Sequence, residues 1–384
     1  MTIQAIDGQN RTVDTVLLKV ASRCNLDCGY CYVYHMGDDS WRTQPKLMSD
    51  EIIKHVAVNL GAQYRRQQTP FSVVLHGGEP LMLGATRLAR LCEALRAELP
   101  HPCGIHVQTN GVLLADAIID VLVAYDVGIS ISIDGPAVVH DRFRTDHSNS
   151  GSHARVTAGI ERLTSRPDAS PLFAGVLAVI DPSSDPADVY AALKATGAPS
   201  LDFLVRDGNW DQLPFGKATS DAVEYGRWLS GLLTLYLADP APPRVRILDD
   251  MMRLILGGQS QKEGVGNTDY GILVIEPDGR IDKNDTLKVA HPGADRFEKA
   301  WSILTDPLED FLASPAFDHY YRQQRTLADQ CHNCADLAIC GGGMVAHRWS
   351  AERGFDNPTV FCADQRHLIA EMRGVIARMA AQAA

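Results

Sequence analysis

The chain has 384 residues, 45% hydrophobic and 22% charged, with a formal net charge of −11, an ordinary composition for a globular enzyme of two or three domains. The acidic balance disfavours a nucleic-acid partner, because phosphate binding draws on a basic face that releases counterions. No apolar run approaches the roughly twenty residues that span a bilayer and the N-terminus lacks a signal-peptide design, so a cytoplasmic protein with no membrane partner is expected, its nine cysteines serving as thiols or metal ligands.

After a lead-in over residues 1–14, short β-branched or apolar runs predict strands near Val16–Val20, Ser72–His76, Gly104–Gln108, Gly128–Ile133, Leu172–Ile180 and Leu201–Val205. Helical spacing predicts helices between them, such as Ser49–Arg65, with Ser49 as N-cap and Ile52, Ile53, Val56 and Leu60 on one face, and Leu88–Glu98. Strand–helix alternation implies parallel strands, and six such units suggest an α/β fold with a partial (β/α)6 barrel over 15–207. Residues 208–264 read as a helical bridge, clearest at Ala222–Leu237 and Ile247–Leu256 and broken by Pro240-Ala-Pro-Pro243. The remainder, 265–384, opens on a hairpin, Ile272–Ile275 and Arg280–Ile281 around Glu276-Pro-Asp-Gly279.

The polar motifs fall where a parallel barrel builds its active site, after the carboxyl ends of successive strands. Strand one is followed by Cys24-Asn-Leu-Asp-Cys28-Gly-Tyr30-Cys31, strand two by Gly77-Gly78-Glu79-Pro80 and strand three by Thr109-Asn110-Gly111, while strand four ends in Ser132-Ile-Asp134-Gly. Three clustered thiols suit a cubane iron–sulfur cluster that keeps one metal position open for a small molecule. A zinc knuckle completed by His35 is the competing reading. Gly77-Gly78-Glu79-Pro80 taken alone reads as an ordinary turn. Further on, Cys331-x2-Cys334-x5-Cys340 with a distal Cys362 is a four-thiol set that fits either zinc or an iron–sulfur cluster. Cys92, on a predicted helix with Leu88, Leu91 and Leu95, reads as buried packing, and neither it nor Cys103 has a partner at metal spacing.

The C-x3-C-x2-C run with Tyr30 before its last cysteine resembles the signature of the radical S-adenosylmethionine (radical SAM) enzymes. The resemblance implies a [4Fe–4S] cluster on Cys24, Cys28 and Cys31 and a bound S-adenosylmethionine, cleaved to a 5′-deoxyadenosyl radical. It implies cofactor contacts from Tyr30, from Gly77, Gly78, Glu79 and Pro80 around the methionine ammonium, and from Ser132 and Asp134. Arg144 would hold the cofactor carboxylate, with Gln108 and Asn110 on the same rim and Leu177 or Val179 packing on adenine, although core filling is the alternative for those two. The second cysteine group resembles the SPASM extension of peptide-modifying radical SAM enzymes, which implies an auxiliary cluster on Cys331, Cys334, Cys340 and Cys362. A complete SPASM domain holds a second auxiliary cluster, but here the hairpin Gly279-Arg-Ile-Asp-Lys-Asn284-Asp285 and Met344 offer no thiol. Two [4Fe–4S] clusters in total are therefore expected. Asp285 stands where the family has a base, with Asp282 as the near alternative and a turn-end Asp as the bland reading.

The stretches Cys31-Tyr-Val-Tyr-His-Met-Gly-Asp-Asp-Ser-Trp41 and Cys340-Gly-Gly-Gly-Met to Cys362 resemble FxsB-type, cyclophane-forming maturases of ribosomally made peptides. This implies abstraction of a β-hydrogen and a carbon–carbon crosslink to a nearby aromatic ring. Its partners would be a precursor peptide with its leader and an external one-electron donor of the flavodoxin or ferredoxin type. The bridge 208–260 is a candidate for peptide docking, since no separate leader-binding domain is apparent. The rivals are a sulfatase-maturing (formylglycine-generating) enzyme, whose usual two auxiliary clusters are not encoded here, a thioether-forming enzyme, and, from another class, an iron–sulfur or zinc protein in electron transfer or binding.

Overall fold

The computed structural model describes residues 12–260, 262–266, 271–323 and 327–383, so most of the 1–14 lead-in lies outside the described residues. Strand β1 (Thr15–Ala21) begins a parallel series with β2 (Ser72–Gly77), β3 (Ile105–Thr109), β4 (Val127–Ser132), β5 (Phe173–Val179) and β6 (Ser200–Leu204). All six strands expected from sequence are present, and each starts and ends within a residue or so of its expected bounds. Their inward side chains, among them Leu18, Leu75, Val107 and Ile131, are fully buried, the alternation that drives a strand onto a core. Helices Asp50–Gln67, Gly84–Glu98, Asp116–Ala124, His153–Thr164 and Pro186–Lys194 make the crossovers. The first is capped as its sequence dictates: Ser49 Oγ accepts from Ile52 N at 3.2 Å, with Asp50 and Glu51 in the first turn and Arg65 and Arg66 in the last, charges that complement the helix dipole.

The sheet does not end with the barrel strands. A two-residue β7 (Arg244–Val245) extends it beyond β6, and the hairpin β8 (Ile272–Ile275) and β9 (Arg280–Asp282), with β10 (Trp301–Ser302) beyond, extends it on the other side. The order is β10-β9-β8-β1-β2-β3-β4-β5-β6-β7, an open sheet and hence a partial barrel. Strand β8 pairs in parallel with β1 from Thr15↔Ile272 to Leu18↔Ile275. The C-terminal region therefore shares a sheet and a core with the barrel and buries both sides of β1, the strand that leads into the cysteine loop. The bridge is fixed in turn: helix Glu224–Ala238 donates Gly226 N to Asp364 Oδ1 at 2.8 Å, and buried Lys217 pairs with Asp364 Oδ2 at 2.6 Å. Asp364 stands on the terminal helix Cys362–Ala383.

Candidate active site

A cavity of about 980 Å³, counting its open mouth, lies at the carboxyl ends of β1–β6, the end of a parallel barrel where loops converge. Cys24, Cys28 and Cys31 all line it. Strand β1 slips register against β2 between Lys19 and Ala21, which re-aims the chain into the cysteine loop. That loop is tied to the segment after β4, with Asp27 N donating to Thr145 O at 2.8 Å and Gly29 N to Phe143 O at 2.9 Å. Leu26 N lies 3.4 Å and Asn110 Nδ2 3.7 Å from Cys24 Sγ, donors of the kind that support a cluster thiolate. His35 does not join the thiols; its Nε2 is 2.8 Å from Asp27 Oδ1.

Gly77 and Gly78 complete the cradle. A Cβ on Gly78 would stand 2.2 Å from both Arg23 O and Tyr34 Oη, and one on Gly77, at φ 131°, 2.1 Å from Ala21 O. Only glycine lets this turn lie against the cysteine loop. Glu79 lines the cavity as well and also braces it. Its buried carboxylate accepts from Thr109 Oγ1 at 2.7 Å, Asn110 N at 2.8 Å and Leu81 N at 3.0 Å, so it staples the β2 loop to the β3 loop. Burial nonetheless raises its pKa against these donors.

Of the other expected contacts, Tyr30, Gln108, Asn110, Ser132, Arg144 and Leu177 line the cavity, as does Val179. Gln108 Nε2 donates to Ser132 Oγ at 2.9 Å. Pro80 and Asp134 stand outside the lining. Pro80 opens the short 3-10 turn Pro80–Leu83. Asp134 is a buried post: Oδ2 takes Tyr30 Oη at 2.5 Å and Arg144 Nε at 3.1 Å, while Oδ1 accepts from Val179 N at 3.0 Å. Burial opposes the Arg144 charge, and Asp134 and Tyr30 outweigh it and hold the guanidinium protonated.

Behind the cavity floor lies a buried charge network that the sequence reading missed except for its aspartates. Lys19, the lone charge in β1, reaches Glu276 Oε1 at 3.0 Å and Asp285 Oδ2 at 3.3 Å. Tyr32, which lines the cavity, donates to Asp285 Oδ2 at 2.9 Å. Burial raises the Asp285 pKa, but Lys19, His76 and Lys288 prevail and hold it below the ordinary carboxylate range. Asp282 is engaged elsewhere: both oxygens accept from Arg280 at 2.7–2.9 Å, and burial raises its pKa to about 6. Tyr32 is the side chain through which Asp285 meets the cavity, and its position next to Cys31 is the one signal that could have found it.

Cys331, Cys334, Cys340 and Cys362 gather around the turn Gly341-Gly-Gly343, close enough that charge on Cys331 and Cys334 acts on Cys362. All three glycines have positive φ, from 64° to 81°, and a Cβ on Gly341 would sit 1.8 Å from Gly266 O. The buried Arg348 donates from Nε to Gly342 O at 3.0 Å, and Cys340 Sγ lies 2.6 Å from Gln365 Oε1. Three thiols on one cavity and four around one turn could each hold an iron–sulfur cluster. Cys92 and Cys103 are fully buried, as packing residues are. Among the described residues no helix is long and apolar enough to cross a membrane.

Comparison with known proteins agrees with this geometry. Residues 18–166 match the model of the radical SAM superfamily. A cysteine-type anaerobic sulfatase-maturating enzyme of Clostridium perfringens is 22% identical over 355 residues, covering 88% of this chain and 90% of that protein. Among solved structures, native anSMEcpe with bound AdoMet and Cp18Cys peptide superposes with a TM-score of 0.81 at 20% identity, over 96% of this chain and 99% of that one. Streptococcus suis SuiB bound to its precursor peptide SuiA gives 0.58 at 13% identity, over 87% and 72%. These likenesses show the fold, a radical SAM partial barrel with a C-terminal extension.

Proposed function

We propose that this protein is a radical SAM enzyme that oxidises a side chain of a peptide at its β-carbon, on Cys24, Cys28 and Cys31 as cluster ligands. The observation that carries this reading is the convergence of three thiols, the Gly77-Gly78 cradle and the Arg144 guanidinium on one cavity, with Asp285 one hydroxyl behind it. The similarity to a sulfatase-maturating enzyme and to structures holding peptides supports a peptide as substrate. When bound, the cluster and S-adenosylmethionine supply a 5′-deoxyadenosyl radical. Arg144, oriented by Asp134, would hold the cofactor carboxylate. Gly77, Gly78, Ser132, Leu177 and Val179 line the same cavity and would hold the rest of the cofactor. Asp285 is the base: ionised at neutral pH, it takes a proton from Tyr32 Oη as that hydroxyl takes one from the oxidised substrate, general-base work worth about 10²–10⁴-fold in rate. Asp282, held by Arg280, is the poorer base.

Two fates of the oxidised carbon share these steps, in which the hydrogen atom would go to the 5′-deoxyadenosyl radical, the proton to Asp285 through Tyr32, and the second electron to the cluster that Cys331, Cys334, Cys340 and Cys362 would hold. A carbon–carbon bond to a neighbouring aromatic ring, a cyclophane, is favoured by the resemblances around Trp41 and the triple-glycine turn and by ligands for one auxiliary cluster only, since Cys92 and Cys103 are core residues. Formylglycine formation is favoured by the similarity to sulfatase-maturating enzymes. Mass spectrometry of a small peptide encoded beside the gene, co-produced with the enzyme, separates them. Loss of two hydrogens with fragmentation blocked between an aromatic residue and a near neighbour means a crosslink, and a formylglycine mass at Cys or Ser means sulfatase-type maturation. An unchanged peptide and unchanged sulfatase peptides, despite cleavage of S-adenosylmethionine, would contradict the reading.

A further inference from the structure

Three arginines surround the aromatic group Tyr30, Phe143 and Phe215 at the cavity wall, and two have carboxylates. Arg142 reaches Asp181 at 2.9 Å and Arg144 reaches Asp134 at 3.1 Å. Arg206, two residues beyond β6, lines the cavity and is only 6% exposed. Its Cζ stands 3.9 Å from the ring centre of Phe143, 4.5 Å from Phe215 and 4.8 Å from Tyr30. The rings cover the guanidinium faces and leave its edge, and on that edge Nε and Nη2 are both buried with no hydrogen-bond partner among the described residues. A guanidinium does not lose its proton, so the charge stays, at a desolvation cost that cation–π contacts only partly offset. Nε–H and Nη2–H are the parallel pair that a planar anion accepts bidentately.

We propose that the Arg206 fork binds a carboxylate of the substrate peptide and so sets which peptides enter. The inference rests on the peptide-modifying reading above. S-adenosylmethionine carries a single carboxylate, for which Arg144 stands beside the cysteine loop, and its adenosine part is neutral; a second fork on the same cavity calls for a second carboxylate. An acidic side chain and the peptide's C-terminus are chemically equivalent sources.

The test measures binding of the small peptide encoded beside the gene to the reconstituted holoenzyme with S-adenosylmethionine present, by fluorescence anisotropy. The peptide is used in three forms: unaltered, amidated at its C-terminus, and with its Asp and Glu residues replaced by amides. One of the two altered forms, which identifies the source, should bind the wild type at least tenfold more weakly. Arg206→Met should bind all three alike, and Arg206→Lys should keep part of the discrimination. Equal weakening of all three forms by both variants, with discrimination between forms retained, would make Arg206 a structural residue and overturn the inference. So would a loss confined to S-adenosylmethionine affinity, which would assign the fork to the cofactor, or no binding of any form by the wild type. Failure of the functional reading shows separately, as a bound peptide whose mass never changes.

Discussion

At the residue scale the proposed chemistry turns on Asp285 and what keeps it ionised. Asp285→Asn should cut modified peptide about 10²–10⁴-fold while 5′-deoxyadenosine still forms, and Tyr32→Phe should act in the same direction; quantifying both products by chromatography decides it. Lys19→Met leaves Glu276 and Asp285 buried without their shared cation and should destabilise the fold by about 3–5 kcal/mol, read by urea denaturation. Because Lys19 lowers the Asp285 pKa, the same change should also move the acid limb of the pH–rate profile to higher pH. Spacing along the chain places Cys24, Cys28 and Cys31 together, since residues of one short loop are adjacent in space as well as in sequence. It could not show that Glu79 braces a loop or that Asp134 orients Arg144 from behind, because those roles depend on hydrogen bonds between loops of different strands.

Among elements, the turn after β4 is the piece most sensitive to acid. His140 is fully buried, accepts from Asp134 N at 3.2 Å through Nδ1 and lies 2.9 Å from Ser152 Oγ through Nε2. Burial and the Arg144 charge push its pKa down to about 4. The unfolded chain thus binds the proton more readily than the folded one below pH about 6.5. Stability owed to neutral His140 is full above that pH and is lost as pH falls towards about 4, by up to about 3 kcal/mol. The stability gap between wild type and His140→Asn should narrow over that window in urea titrations; a constant gap would contradict it. The glycine turn at the second thiol group gives another test. Gly341→Ala, which places a Cβ against Gly266 O, should lower iron from about eight towards about four atoms per chain and leave S-adenosylmethionine binding in place. Strand and helix periodicity made the barrel elements legible, whereas the two-residue β7 and β10 are too short to carry a period.

At the scale of the whole molecule, the barrel and the C-terminal region share one sheet. Boundaries near 207 and 265 follow changes of pattern along the chain, but the pairing of β8 with β1 joins segments some 257 residues apart, and no local pattern encodes that. A barrel cut after residue 264 would leave β1 unpaired on one side and Lys19 without Glu276 and Asp285. Such a truncation should not fold cooperatively, as judged by proteolysis and calorimetry; a stable, sharply melting fragment would count against the shared core.

Hydrogen abstraction from a peptide β-carbon is open to direct measurement by isotope transfer. Reconstituted enzyme under anaerobic conditions, given a reductant, S-adenosylmethionine and the co-encoded peptide with deuterium at its β-carbons, should release 5′-deoxyadenosine carrying one deuterium for each residue modified. Deoxyadenosine without deuterium, alongside a modified peptide, would contradict the account.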